Sequence, residues 1–400
     1  MTVWRWLILL CVVALLTWAG SGMIALHRST PAAAQLDAAQ RQLRDGDLEQ
    51  AADTARQVLS REPSQGRAFG ILARALEAEG SDAQRVARYE TASRRAPRDA
   101  QIRAWLAAHE LQDGDIAHAI TQIDALLTIA PGSRRDVLAA TAQLAQDPAF
   151  AEALADHLAD RPQWRTAVLR AVVAQKTPAA SDNLHGALHA RGDLTPAETA
   201  RWIDGMLAEG RWGSAYARWI GSLPQTNTRV PALYNGDFDT FPTSAGFDWR
   251  VRPTTGVVFD RIIGPGSGHA ARLTFLGRPV ARAGLEHPLL LAPGTYRLDL
   301  MTRAPDLQAD QGLDWALTCA DGRTRIGNGA RMRRSATWVK ASLQFDVPDT
   351  GCEGQWLRLI NPAPRGVAQT LRGELQLAAL TVTLQASTGV DDAQATPATP

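Results

Sequence analysis

Apolar positions recur at helical spacing through the first half of the chain and alternate with polar ones through the second. Phe69, Leu72, Ala73 and Leu76, then Leu106, Ala107 and Leu111, advance by three and four residues or stand side by side, which marks one face of an amphipathic helix. A longer beat is superimposed: Gly46, Gly80 and Gly114, and likewise Pro63, Pro97 and Pro131, each follow the one before by 34 residues. A turn glycine and a closing proline make each unit a pair of short helices. Neither helix can bury its apolar face alone, so neighbouring units must stack, and the pattern predicts an α-solenoid with a groove. Five residues after the turn glycine stand the small residues Ala51 and Ala119, with Arg85 in the second unit. Beyond Pro131 the beat weakens, although 143–175 keeps a helical pattern, with Pro148 and Pro162 near helix starts. It returns at Gly210, followed by Ala215 and Trp219. Trp202, Trp212, Tyr216 and Trp219 fall at spacings near three and four, which predicts a packed stripe rather than a ligand box.

After Thr226–Pro231 the period changes to two. In 338–347, Val339, Ala341, Leu343, Phe345 and Val347 point one way while Lys340, Ser342, Gln344 and Asp346 point the other. Tyr296, Leu298 and Leu300 repeat the pattern, and further strands are expected at 256–263, 270–275, 313–319, 355–360 and 374–384. In the last run Leu375 and Leu377 are out of phase with Leu380, Val382 and Leu384, which predicts a bulge at Ala378 and Ala379. This succession of short strands and turns predicts an antiparallel β-sandwich of the jelly-roll kind. Residues 386–400 lack apolar periodicity and are expected to form a disordered tail.

One stretch obeys neither period. Trp6 to Leu26 contains 21 residues without a charge, about the length needed to cross a ~30 Å hydrocarbon layer. With Arg5 before it and His27 and Arg28 after it, it reads as a single membrane helix with a cytoplasmic N-terminus. The alternative is a cleaved signal with a small-residue site at Ala32–Ala34. Either reading exports the body of the chain. The expected class is therefore α+β multidomain: membrane anchor over 1–28, helical solenoid over 29–225, β-sandwich over 226–385 and tail over 386–400.

Composition narrows the function. The 400 residues are 45% hydrophobic and 21% charged, enough for sizeable cores. A formal charge of +1 offers no global field to nucleic acid, so no nucleic-acid partner is expected. Cys11 lies in the apolar run, leaving Cys319 and Cys352 as the only pair in the exported body. In an oxidising compartment that pair predicts a disulfide, the alternative being two separate buried thiols. No GxSxG, HExxH, phosphate-cradling glycine loop or histidine-linked cysteine is present, and no catalytic residue or cofactor is expected. Acidic pairs for glycoside cleavage stay open, because their separation belongs to the fold. His185 and His189 are four apart, but two ligands do not make a metal site.

The 34-residue units, with their small residues at Ala51 and Ala119, their closing prolines and the aromatic Phe69 with Trp105 near the equivalent place, resemble tetratricopeptide repeats. That resemblance implies a protein partner in the solenoid groove. The second half, opening on YNGDFDTFPTSAGFDW, continuing through PLLLAPGTYRLDLMTRA and closing on an amphipathic strand, resembles carbohydrate-binding-module and galactose-binding-like sandwiches. The resemblance implies a structural calcium between the opening acidic loop and acids on the last strand. Asp237 and Asp239 match the loop, but Leu377, Ala378, Ala379 and Leu380 stand where the acids would be, so no metal is expected. It also implies a glycan stacked on an exposed aromatic. Of Trp249, Trp315, Trp338 and Trp356, the last two are favoured because their neighbours Val339 and Leu357 take the opposite face. Arg331, Arg333 and Arg334 could meet anionic sugars or form a solvated loop. The function expected is a non-enzymatic adaptor, anchored in a bacterial inner membrane by a single pass over 6–26 with its bulk in the periplasm, serving exopolysaccharide or cell-envelope assembly. The alternatives are a carbohydrate-binding module that holds a glycan through the sandwich, and a polysaccharide-active enzyme.

Overall fold

A computed structural model describes residues 30–175, 177–224, 229–362 and 368–385. By its internal contacts the chain divides into a helical unit, 1–193, and a second unit, 194–400, that joins the last helices to the strands.

The helical unit runs through α1 (Thr30–Asp45), α2 (Leu48–Arg61), α3 (Gly66–Ala75), α4 (Asp82–Arg95), α5 (Ala100–Gln112), α6 (Ile116–Ile129), α7 (Arg134–Leu144), α8 (Pro148–Leu158), α9 (Arg165–Val173) and α10 (Ala179–Ala190). The 34-residue beat is visible in the helix starts: α2, α4 and α6 begin at 48, 82 and 116, and α3, α5 and α7 at 66, 100 and 134. Gly46, Gly80 and Gly114 take φ of +90°, +80° and +79°, the left-handed turn that a side chain at Cβ disfavours. Polar side chains cap several starts. Ser81 and Gln84 form a reciprocal box ahead of α4, and Asp99 accepts from the Gln101 and Ile102 amides ahead of α5. The helices approach closely because the contact residues are small: Ala51, Ala55, Ala68 and Ala119 are wholly buried. The large aromatics are held by their polar ends. Tyr89 stacks on Trp105 at 3.7 Å, and the Glu77 carboxylate accepts from both the Tyr89 hydroxyl (3.1 Å) and Trp105 Nε1 (2.9 Å). His185 is buried with Nδ1 2.9 Å from the Ser181 carbonyl oxygen, whereas His189 is exposed.

The membrane-anchored architecture is corrected. No helix among the described residues is long and apolar enough to cross a membrane. The longest, α1, has 16 residues, about 24 Å at 1.5 Å per residue, short of a ~30 Å hydrocarbon layer. The apolar run 6–26 and the tail 386–400 lie outside the described residues. The fold class is a helical unit followed by an antiparallel sandwich; the single-pass inner-membrane placement, the periplasmic location and the membrane as a partner are not retained.

In the second unit, α11 (Pro196–Ala208) and α12 (Trp212–Ser222) precede the strands β1 (Arg250–Val251), β2 (Val257–Ile263), β3 (His269–Val280), β4 (Arg282–Leu289), β5 (Gly294–Ala304), β6 (Leu313–Cys319), β7 (Arg325–Met332), β8 (Ser335–Val347), β9 (Gln355–Ile360) and β10 (Gln369–Leu384). Two five-stranded sheets form, in the orders β1-β4-β9-β6-β7 and β2-β3-β10-β5-β8, called sheet A and sheet B below. Every pairing is antiparallel. The register of β10 against β5 shifts between Ala378 and Thr381, with Ala379 at φ +51°. That bulge returns Leu380 and Val382 to the buried side already occupied by Leu375 and Leu377. Strands β4 and β7 are not among those expected: β4 alternates in burial but carries Gly284, His287 and Pro288 along its length, and β7 carries Gly327 and Gly329. Cys319, at the end of β6, is bonded to Cys352, just ahead of β9, at an S–S distance of 2.08 Å.

Helices α11 and α12 share a core with the sandwich. Trp202, Ile203, Met206, Trp212, Ala215 and Trp219 cluster with Phe247, and with the half-buried Tyr234, Leu290 and Trp356. The aromatic stripe is therefore packed, and what it packs against includes the loop that opens the strand region.

Candidate functional site

In β4 the buried positions Ala283, Leu285, His287 and Leu289 face the core, and in β9 Leu357 and Leu359 do the same. Alternation then turns Glu286, Trp356 and Arg358 to the outer face of sheet A. Register sets them side by side: Glu286 is paired with Arg250 of β1 on one side and with Arg358 of β9 on the other, and Arg358 with Ala316 of β6. Cross-strand neighbours on one face lie about 5 Å apart at Cβ, close enough for charged pairs to form.

They do form. Glu286 accepts from Arg252 Nε at 2.7 Å and from Arg358 Nε at 3.2 Å, and Arg358 donates onward to Thr318 Oγ1 at 3.0 Å. The Arg358 guanidinium lies 4.9 Å from the centre of the Trp356 ring, and that of Arg250 lies 5.3 Å away. Arg250 is buried and spoken for, donating to Asp204 of α11 at 2.6 Å and to the Gly246 carbonyl at 3.1 Å. Trp212 of α12 meets Trp356 edge-on at 5.5 Å. It can do so only because residue 354 is glycine: a Cβ there would stand 2.0 Å from the Trp212 ring. What remains open is a cleft of about 440 Å³ whose lining includes Arg252, Thr254, Arg282, Glu286, Trp356 and Arg358. Three guanidiniums thus meet one carboxylate. Burial pushes the Arg358 pKa down, opposed by Glu286 and reinforced by the like charges of Arg282 and Arg252; a guanidinium stays protonated all the same.

A second cavity, of about 360 Å³, lies between α11–α12 and the opening loop, lined among others by Ile203, Trp219, Tyr234 and Asp248. Its one carboxylate is committed, since Asp248 accepts from the Thr243 amide and hydroxyl, the Trp249 amide and the Asn235 side chain. Besides Asp248 its lining carries hydroxyl-bearing side chains, Thr199, Ser222, Tyr234, Thr240 and Thr243, but no cationic group.

The sequence-predicted residues fall in different places. Trp356 lines the cleft, half-buried. Trp338, also half-buried, lies on β8 at the edge of sheet B with Lys340, Ser342 and Gln344 on its side of the strand, so the two favoured tryptophans do not converge. Trp249 and Trp315 are wholly buried in the sandwich core. Arg331, Arg333 and Arg334 do not line the cleft; Arg331 lies 3.8 Å from Asp314, and Arg334 Nε donates to the Pro305 carbonyl. In the opening loop Asp239 pairs with His269 at 3.1 Å, and the loop meets the last strand through backbone, the Leu380 amide donating to Gly236 O at 3.0 Å. Among the described residues no group of three or more His, Cys, Asp or Glu side chains is placed to hold a metal. Sequence reasoning missed Arg252, Arg282, Glu286 and Arg358. For Arg358 the signal was present, since it stands two residues from Trp356 in a recognised strand; Glu286 and Arg282 lie in β4, whose alternation is masked in the sequence by Gly284, His287 and Pro288.

No protein-family model and no curated protein matches the sequence. Among solved structures, the chain is similar to a CBM4 carbohydrate-binding module at 14% identity, over 38% of this chain and 99% of that one, with a TM-score of 0.31. It is also similar to a putative sugar-binding protein from Bacteroides thetaiotaomicron (10% identity, 39% of this chain, 100% of that one, TM-score 0.30). A third is the CBM22-1 xylan-binding domain from Paenibacillus barcinonensis (15% identity, 37% of this chain, 91% of that one, TM-score 0.28).

Proposed function

We propose that the chain is a non-enzymatic glycan-binding protein whose β-sandwich carries the site, on the outer face of sheet A. The observation that carries this reading is the Arg252–Glu286–Arg358 chain beside Trp356 in an open cleft. Sugar hydroxyls both donate and accept, and the cleft presents fork-shaped donors, a carboxylate acceptor and the hydroxyl of Thr254. Arg282, Glu286, Trp356 and Arg358 stand on strands whose register fixes them, while Arg252 follows β1 and is tied to β4 by its amide, which donates to the Gly284 carbonyl at 2.7 Å. The absence of turnover is part of the proposal: glycoside cleavage takes two carboxyl groups flanking the bond at about 5–10 Å, whereas the cleft lining has the one carboxylate Glu286, held by two guanidiniums. The membrane-anchored periplasmic adaptor is not carried forward, since no described helix spans a membrane. For the helical unit, the 34-residue spacing of helix starts supports a solenoid of tetratricopeptide type.

The test is affinity electrophoresis of the chain through gels containing a series of polysaccharides, with reducing ends assayed in parallel. Retardation in at least one gel is expected, without release of reducing ends. Arg358→Ala should weaken it by roughly tenfold to a hundredfold, the cost of removing a charged hydrogen-bonding group. Unchanged mobility in every gel, or release of oligosaccharides, would overturn the reading.

A further inference from the structure

We infer that the cleft on sheet A takes an anionic glycan, one whose carboxylate or sulfate substituents are met by Arg252, Arg282 and Arg358, an inference that rests on the glycan-binding reading above. Capture of a neutral sugar relies on a bare aromatic face for the apolar side of the pyranose ring. Among the described residues sheet A offers none. Trp249 and Trp315 are wholly buried, two guanidiniums lie over Trp356 with Trp212 against its edge, and Trp338 belongs to the other sheet. Trp356 therefore serves as a base beneath the Arg358 guanidinium, whose Nε donates to Glu286 and whose Nη1 donates to Thr318.

The charge count points the same way. Glu286 can balance one guanidinium, yet it is shared between Arg252 and Arg358, and among the described residues no ion pair forms to Arg282. Arg282 is exposed at the cleft lining, and with Arg252 it acts on Arg358 as a like charge. An arriving anion relieves that repulsion, and a planar carboxylate matches the guanidinium fork in a two-bond pairing that a neutral hydroxyl cannot make. The chain as a whole carries a formal charge of only +1, so this is a local arrangement and not a general attraction for polyanions.

The test is calorimetric titration of the full chain with polygalacturonate, dextran sulfate, unmodified dextran, a neutral β-glucan and single-stranded DNA, at low and at physiological salt. Polygalacturonate or dextran sulfate should bind and the neutral polymers should not, with affinity falling as salt rises; which of the two binds tells carboxylate from sulfate. Arg282→Glu, at an exposed position outside the core, should reduce that binding at least tenfold while leaving the near-ultraviolet spectrum of the buried tryptophans unchanged. Binding of the neutral β-glucan that ignores Arg282→Glu would overturn the anionic assignment and leave the glycan-binding reading standing. No binding to any polysaccharide would remove both. DNA bound as tightly as the acidic polysaccharide would overturn the inference by showing unselective attraction.

Discussion

The helical unit and the sandwich unit are stabilised by opposite uses of sequence distance. In the helical unit the contacts that matter join neighbours along the chain: α1 to α2, α3 to α4, α5 to α6, each pair one step of a 34-residue repeat with alanine at the crossings. In the sandwich, Leu273 of β3 lies opposite Leu375 of β10, and Leu291 is hydrogen-bonded to Gln355. The core there exists only once distant segments have met. The difference teaches where a site can arise. A local repeat yields a surface that resembles itself from unit to unit, whereas the sandwich brings Arg252, Arg282, Glu286, Trp356 and Arg358 from three separated stretches into one cleft.

The contrast can be broken hardest at the Cys319–Cys352 bond, whose 33-residue separation makes it a constraint on long-range closure. Replacing both cysteines by serine should cost about 4 kcal/mol on the chain-entropy account, read as a lower denaturation midpoint of the near-ultraviolet tryptophan signal. An unchanged midpoint would mean that closure of this loop does not limit the sandwich.

Next in size is a pH effect confined to the sandwich. His287 is fully buried, its Nε2 3.1 Å from the Tyr234 carbonyl and its ring against Trp249 at 4.8 Å. Its pKa lies at about 4 instead of 6.5, chiefly because burial disfavours the charged ring and in smaller part because Arg250 is near, while the Tyr234 and Pro288 backbone and Asp248 oppose the shift. The folded form therefore binds this proton less readily than the unfolded one. The stability it confers is complete above about pH 6.5 and drains away as pH falls toward 4, by roughly 3 kcal/mol in total. Urea titrations at several pH values between 4 and 7 should show stability of the strand signal rising with pH across that window; a flat profile would contradict the burial of a neutral imidazole.

The smallest effect tests the local side. Gly114 has φ +79° and a Cβ there would meet nothing within 4 Å, so Gly114→Ala introduces backbone strain without a clash. A loss of about 1 kcal/mol is expected, visible as a shift of the melt at 222 nm. A much larger loss would indicate that the turn carries contacts beyond its own repeat.

Legibility in the sequence followed the same division. The helix pairs, their turn glycines and the phase break in β10 could be read because each is a pattern within some forty residues of chain, set by steric rules for φ and by side-chain alternation. Strands β4 and β7 were not legible, since glycine and proline blur the alternation there. The compositional change near Thr226–Pro231 marks where helices give way to strands, yet the contacts divide the chain at Asp193 and Leu194; amphipathic pattern tells that α11 and α12 bury a face but not what covers it. Trp356 was recognisable as an outward-facing tryptophan. That its ring lies against Arg250 and Arg358 was not, because Arg250 lies over a hundred positions away and is placed there by strand pairing.

What the amino-acid sequence determined by itself was the kind of each element and the spacing of its turns, together with the pair of cysteines able to close a loop. Those depend on interactions among near neighbours, whose geometry the covalent chain dictates. The tertiary structure alone decided that a chain of nearly neutral overall charge concentrates three arginines around one glutamate, and that a tryptophan suited to stacking on a sugar is taken up by guanidiniums instead. Both outcomes depend on the register of β1, β4 and β9, which is settled by the packing of the whole core and by no segment of the sequence taken alone.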